Sequence, residues 1–302
     1  MLAYHKIDGG FELGVNSVRP QAFDHQMRFL AEQGYTAITV DRLIQAIDAF
    51  PLHEEIAEGH SFPSSKPPQV CSLPFRQGGK KNTPHSLSSK KLAREQLEGF
   101  NLPPRSVVIT FDDGYEDFYT SAYPILKKYG LTATVFVLAG YIGKLNTWDV
   151  RLRLKRSRHL SKEQIQTLFS NGFGVASHGM HHCFLTRCNH AKAEVELHES
   201  KTMLENLLDY PIHSFAYPYG SVNPKAAERA KSAGYRIAFG LNPSQPITSQ
   251  SVYCFPRVAI YQYDTPRAFQ AKLGLLGEYR FKLQCMKNRV VNQFANLNKF
   301  RV

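Results

Sequence analysis

The sequence predicts a parallel α/β fold whose roughly seven strands close toward a barrel. Three observations point there. Short apolar runs bounded by turn residues alternate with segments of helical spacing. The chain of 302 residues, 43% hydrophobic, is long enough for one large core. The side chains best suited to chemistry follow directly after apolar runs, where a parallel barrel carries its site.

Leu2–Ile7 reads as the first strand. Pro20–Gln33 spaces Phe23, Met27, Leu30 and Ala31 as one helical face, and Gly34 ends it. Thr36–Val40 is a strand, and Asp41 is expected to cap a helix over Arg42–Ala49. From Pro51 to Arg105 the chain is rich in Pro, Ser, Gly and Lys without a sustained period. That stretch, 51–105, is expected to be a flexible insertion with a short helix near Leu92–Leu97. Order returns with strand Ser106–Asp112, helix Ser121–Tyr129, strand Ala133–Leu138, helix Lys162–Ser170 and strand Phe173–Ser177. Helix Ala191–Leu208, strand Ser214–Tyr217, helix Pro224–Ala233, strand Arg236–Gly240 and a last strand at Cys254–Ile260 complete the alternation. Residues 1–265 are thus expected to form the main domain, and 266–302 a helix (Arg267–Leu276) with a basic tail.

Composition narrows the function. No apolar run reaches the ~20 residues of a membrane span. Five cysteines without CxxC spacing argue against a disulfide scaffold and for a reducing compartment. A net charge of +12 suits acidic partners, but no RNP, zinc-finger or helix-turn-helix signature accompanies it, so nucleic acid is disfavoured. In the tail, Arg280, Lys282, Lys287, Arg289, Lys299 and Arg301 interleave with Phe281, Val290, Val291 and Phe294. This reads first as a packed helix with a solvated basic face. Second, it reads as a segment docking on anionic lipid or polysaccharide. The chain opens directly on a core strand. The expected location is cytoplasmic or peripheral to a membrane if that start is complete, and the cell envelope if a leader precedes it.

Two motifs carry the chemistry. Thr110-Phe111-Asp112-Asp113-Gly114-Tyr115 ends the strand after Ser106. His178-Gly179-Met180-His181-His182 follows the run Phe173–Ala176. Either alone also fits a blander role, a turn or a solvated histidine pair. Together they supply one carboxylate and two imidazoles for a divalent ion, with a second carboxylate left over as a base. Cys183 lies beside this set and is expected to pack rather than ligate.

At these residues the chain resembles the polysaccharide deacetylase family, also called the NodB-homology or carbohydrate esterase 4 family. Its T-F-D-D-G motif is unchanged. Its H-[ST]-x-x-H-P motif appears with Gly179 for Ser/Thr and Cys183 for Pro. Its R-x-P-[YF]-G motif appears as Ala216-Tyr217-Pro218-Tyr219-Gly220, with Ala216 in place of arginine. The form F-A-Y-P-Y-G, and an opening Leu2-Ala3-Tyr4-His5-Lys6-Ile7 similar to L-x-Y-H-x-[IV], resemble the branch that includes poly-N-acetylglucosamine deacetylases. Further similarity lies at Phe23–Tyr35, Ala122–Leu126, Ala133–Phe136, Trp148-Asp149 and Phe255-Pro256-Arg257.

The resemblance implies a distorted (β/α) barrel and hydrolysis of the N-acetyl amide of N-acetylhexosamine units in a glycan. It implies Asp113, His178 and His182 as ligands of a divalent ion, with zinc expected among first-row metals. Asp112 is then the base, and the Tyr219 N–H helps hold the oxyanion. The late L-x-H acid of many members is absent, and His5 matches the acid of the branch. Pro218, Tyr219, Trp148 and Arg257 are the expected oxyanion and substrate groups. Arg257 is also a candidate to supply the positive charge that Ala216 leaves Asp112 without. Two other functions stand beside this one: amide hydrolysis on a small molecule or glycolipid, and non-catalytic glycan or membrane binding on the same fold.

Overall fold

Every pairing of the main sheet is parallel. The computed structural model describes residues 1–9, 16–49, 102–147, 157–242 and 249–298. Its strands are β1 (Leu2–Tyr4), β2 (Lys6–Ile7), β3 (Ser17–Val18), β4 (Thr36–Ile38), β5 (Ser106–Phe111), β6 (Thr134–Val137), β7 (Gly174–Ser177), β8 (Ser214–Ala216), β9 (Ile237–Phe239) and β10 (Val258–Ala259). The order is β10-β1-β5-β6-β7-β8-β9, with β4 on the first half of β5 and β2–β3 as a separate pair. The two ends of this order meet. Phe255 donates its N–H to Ala238 O at 2.8 Å, and Val258 and Ala259 register with Leu2 and Ala3. Residues 255–259 therefore link β9 to β1 and curl the seven strands into the expected distorted barrel.

The helices are α1 (Pro20–Glu32), α2 (Val40–Asp48), α3 (Tyr123–Lys128), α4 (Lys162–Ser170), α5 (His190–Glu194), α6 (Ser200–Leu208), α7 (Pro224–Ser232), α8 (Pro266–Lys272) and α9 (Glu278–Asn298). Their starts are chemically marked. Ser161 and Gln164 form a capping box on α4, Asn223 with Pro224 opens α7, and Thr265 with Pro266 opens α8. Several details differ from or add to these expectations. Thr39, not Asp41, caps α2: its Oγ1 accepts the Arg42 N–H at 3.3 Å. Burial pushes the Asp41 carboxyl up to about 6. A π turn (Phe118–Ala122) precedes α3, and another (Val195–Glu199) joins α5 to α6 inside what reads as one helix. The first strand breaks at His5, and the tail through Asn298 is helical. The chain divides into two units, Met1–Gln45 with Pro103–Val302, and Ala46–Leu102. Apart from residues 46–49 and 102, that segment, with the expected insertion and its short helix, lies outside the described residues.

Strand parity decides which side chains face the barrel interior. Leu2 and Tyr4, Ile109 and Phe111, Val135 and Val137, Val175 and Phe215 belong to the outer core beneath the helices. Tyr4 and Phe111 stack there at 5.2 Å, with Phe23 of α1 edge-on to both. Their neighbours Ala3, Thr110, Phe136, Ala176 and Ala216 face inward. Phe136 of β6 meets Phe239 of β9 at 5.5 Å, although these strands are not adjacent in the sheet. Carried two residues further, the inward parity reaches His5, Asp112 and His178.

Candidate metal centre and its surroundings

The strand ends bring the expected residues together. Asp112 donates its N–H to Tyr4 O at 2.9 Å, continuing the β1–β5 register and setting His5 beside it. His178 continues β7 by donating to Val137 O at 2.9 Å. Asp113 breaks parity. Its φ of 71° is left-handed and turns the carboxylate toward the imidazoles. His182 (φ 60°) and Tyr219 (φ 61°) adopt the same conformation. Of five non-glycine residues with positive φ among the described residues, three belong to this site. That clustering is expected where surrounding structure enforces a functional geometry.

His178 Nε2 and His182 Nε2 lie 3.3 and 3.1 Å from Asp113 Oδ1. All three residues are buried, and one ligand atom from each falls within 4.8 Å of the others. His178 Nδ1 is 2.8 Å from Ala216 O. A carbonyl only accepts, so Nδ1–H donates, and in the neutral ring the bare Nε2 faces a carboxylate oxygen. Asp113 Oδ1 itself is buried without a hydrogen bond. Two acceptors turned on each other call for a cation between them. Ligands at about 2.0–2.1 Å in tetrahedral geometry sit roughly 3.3 Å apart, close to the 3.3 and 3.1 Å between Asp113 Oδ1 and the two imidazoles. The residues therefore fit a divalent ion. Burial alone would raise the Asp113 carboxyl, but the imidazoles of His182 and His178, with His5, outweigh it and hold it well below the ordinary range.

Asp112 takes no part in this set. Arg257 grips it with both ends of its fork, Nη1 to Oδ1 at 2.6 Å and Nη2 to Oδ2 at 2.8 Å. Nη1 also reaches Thr110 Oγ1 at 3.0 Å. The guanidinium lies over Phe136 and Phe239, 5.1 and 5.7 Å from the ring centroids, and Arg257 is fully buried. Arg257 thus supplies the positive charge beside Asp112 that Ala216 does not. It lies buried inside the barrel with both ends of its fork on Asp112. Burial works against ionised Asp112, but Arg257, His178 and His5 overcome it and lower its pKa. His5 is half-buried, and its Nδ1 is buried without a hydrogen bond. Burial lowers its pKa, opposed by the charges of Asp113 and Asp112.

Pro218 is buried and opens the turn that presents Tyr219. The Tyr219 ring meets His182 at 4.3 Å and stacks on Phe184 at 3.9 Å, nearly parallel. Arg187 caps Phe184 at 4.6 Å. This half-exposed aromatic wall borders the triad. Trp148 lies outside the described residues. Cys183 is no member of the ligand set, and burial pushes its thiol up to about 11.

Two supporting residues escape sequence reasoning. Buried Glu196, in the π turn before α6, accepts N–H bonds from Met180 (2.9 Å) and His181 (3.0 Å), and contacts His181 Nδ1 at 3.1 Å. It ties down the loop between His178 and His182. A Cβ on Gly179 would lie 2.8 Å from its Oε2, and the Gly179 φ is +91°, so the departure from Ser/Thr has a local cause. His159 donates from Nδ1 to Asp113 O at 2.9 Å and stacks on Tyr115 at 4.8 Å. Burial lowers its pKa to about 4, so the ring stays neutral. The π turn shows only as local helical spacing, and His159 sits in no motif.

Residues 100–238 match the profile of the polysaccharide deacetylase family. The chain is 30% identical over 167 residues to YxkH of Bacillus subtilis (strain 168), itself only provisionally named a polysaccharide deacetylase, covering 55% of this chain and 56% of that protein. It is equally similar over 167 residues to the poly-beta-1,6-N-acetyl-D-glucosamine N-deacetylase of Staphylococcus aureus (strain MRSA252), covering 52% of this chain and 55% of that one. The matched stretch spans little more than half the length of these curated relatives. Among solved structures, the Streptococcus pyogenes deacetylase PplD in complex with acetate superposes with a TM-score of 0.62 at 21% identity, over 88% of this chain and 93% of that one. IcaB from Ammonifex degensii superposes at 0.58 and 20% identity, over 92% and 96%. At such identities these two structures bear on the fold alone. The segment 100–238 is thus similar to the polysaccharide deacetylase family.

Proposed function

We propose that this chain is a metal-dependent hydrolase that removes acetyl groups from N-acetylhexosamine units of a glycan. The observation that carries the reading is the convergence of Asp113, His178 and His182 beside a second carboxylate, Asp112, kept out of the ligand set by Arg257. The poly-N-acetylglucosamine deacetylase among the relatives supports the substrate class.

A divalent ion on the triad, zinc by its donor set, would polarise the acetyl carbonyl and lower the pKa of water. Asp112 takes the proton of the attacking water. Arg257 holds it ionised and fixes its plane, so its free lone pairs keep one direction. The Tyr219 N–H donates to the developing oxyanion. His5 hands a proton to the departing amine. Burial lowers the pKa of His5, which makes its imidazolium a stronger acid than an ordinary one. The stacked rings of Tyr219 and Phe184 offer a surface for the sugar.

The test is acetate release from N-acetylglucosamine oligomers by chelator-stripped protein, before and after adding zinc or cobalt. Metal-restored release is expected. Bound metal with no release would move the substrate to a small-molecule or glycolipid amide. No metal binding and no release would leave a binding protein on this fold.

A further inference from the structure

Helix α9 is built with its outer face apolar. At about 100° per residue, Tyr279, Leu283 and Met286 share roughly 60° of arc. They are 80%, 39% and 65% exposed. The opposite face holds the helix down: Cys285 and Asn288 are buried, and Asn288 Nδ2 donates to Ala259 O of β10 at 2.9 Å. Cations flank the apolar arc on both sides, Lys282 on one and Lys287 and Arg280 on the other, all exposed. Glu278 is the one acid in the segment 278–288, and it pairs with Lys282 at 2.7 Å.

A solvated helix face is polar across its middle. This one reverses the pattern, with apolar groups central and long cationic side chains at the margins. That is the layout of a helix lying in a membrane interface, where apolar groups enter the headgroup boundary and Lys and Arg reach lipid phosphates. Against a second copy of itself the face would set like charges together on both flanks. Among the described residues no helix is long and apolar enough to cross a membrane. We infer that the Tyr279–Leu283–Met286 face of α9 docks the protein on an anionic phospholipid surface, lying on it rather than crossing it. The inference is independent of the proposed activity.

The test is cosedimentation of the full chain with phosphatidylcholine–phosphatidylglycerol vesicles and with pure phosphatidylcholine vesicles. Binding to the anionic vesicles alone is expected, weakening as salt rises. Tyr279→Ser with Met286→Ser, and separately Lys282→Gln with Lys287→Gln, should each lower vesicle partition about tenfold or more at unchanged melting temperature. Absence of wild-type cosedimentation overturns the inference. So does vesicle binding by either double variant equal to wild type. A dimer in solution that Tyr279→Ser with Met286→Ser dissociates would assign the face to a second copy and overturn it as well.

Discussion

Two buried carboxylate–cation pairs flank β10, and they are put to different uses. Arg257, just before the strand, binds Asp112 with two parallel hydrogen bonds, so both carboxylate oxygens are engaged and the plane of the group is set. Lys272, from α8, gives Asp264 a single contact at Oδ2 (2.5 Å) and spends another N–H on Ala259 O at 2.8 Å. Asp264 Oδ2 also accepts the Tyr261 N–H at 2.8 Å, while its Oδ1 is buried without a partner. The planar fork fixes direction, which suits the base proposed at Asp112. The ammonium is a point charge that gathers oxygens, which an anchor needs. Similar burial and similar charge therefore do not imply a similar role; donor geometry separates them.

The sharpest way to break the comparison is Asp112→Asn. It should lower turnover about a thousandfold while leaving metal content and melting temperature near wild type, read by acetate release with metal analysis. Retention of full activity would remove Asp112 as the base. Lys272→Met should do the reverse. It strands a buried Asp264 and should cost about 3 kcal/mol in a denaturant melt, with turnover of the surviving fold unchanged. Next, Glu196→Gln turns a donor amide toward N–H groups that now meet an acceptor. Metal affinity should fall about tenfold or more by competition with a chelating dye, at near-constant melting temperature. The smallest effect belongs to Arg257→Lys. Removing the fork lets the Asp112 carboxyl rise, so the acid limb of kcat/KM should move up by about one pH unit. The sign follows from linkage. A carboxyl whose folded pKa is depressed contributes stability above its unfolded pKa and loses it as pH falls through the folded one. Weakening the pair therefore moves that loss to higher pH too.

Much of the site could be read from period-two alternation. Ala3 and His5, Thr110 and Asp112, Ala176 and His178 each share a face, so three site residues point inward once the strands are drawn. Helix α4 begins and ends as its spacing predicts, because Ser161 and Gln164 are a local signal. What escaped depends on closure. Arg257 meets Asp112 across 145 positions of chain, and Glu196 meets His181 only because a π turn rotates it inward. Asp41 looked like a cap, yet Thr39 lies one turn position earlier and fits. The apolar face of Tyr279, Leu283 and Met286 shows only in their exposure, 80%, 39% and 65%.

The left-handed backbone at Asp113, His182 and Tyr219 also sets a conflict between persistence and chemistry. At each position the chain alone would favour glycine, the residue that adopts this conformation without a Cβ penalty of about 1 kcal/mol or more. Random drift judged only on thermal endurance would therefore erode two of the proposed ligands and the proposed oxyanion turn. A lineage that keeps all three despite that pull is one in which use, not endurance, has been the arbiter.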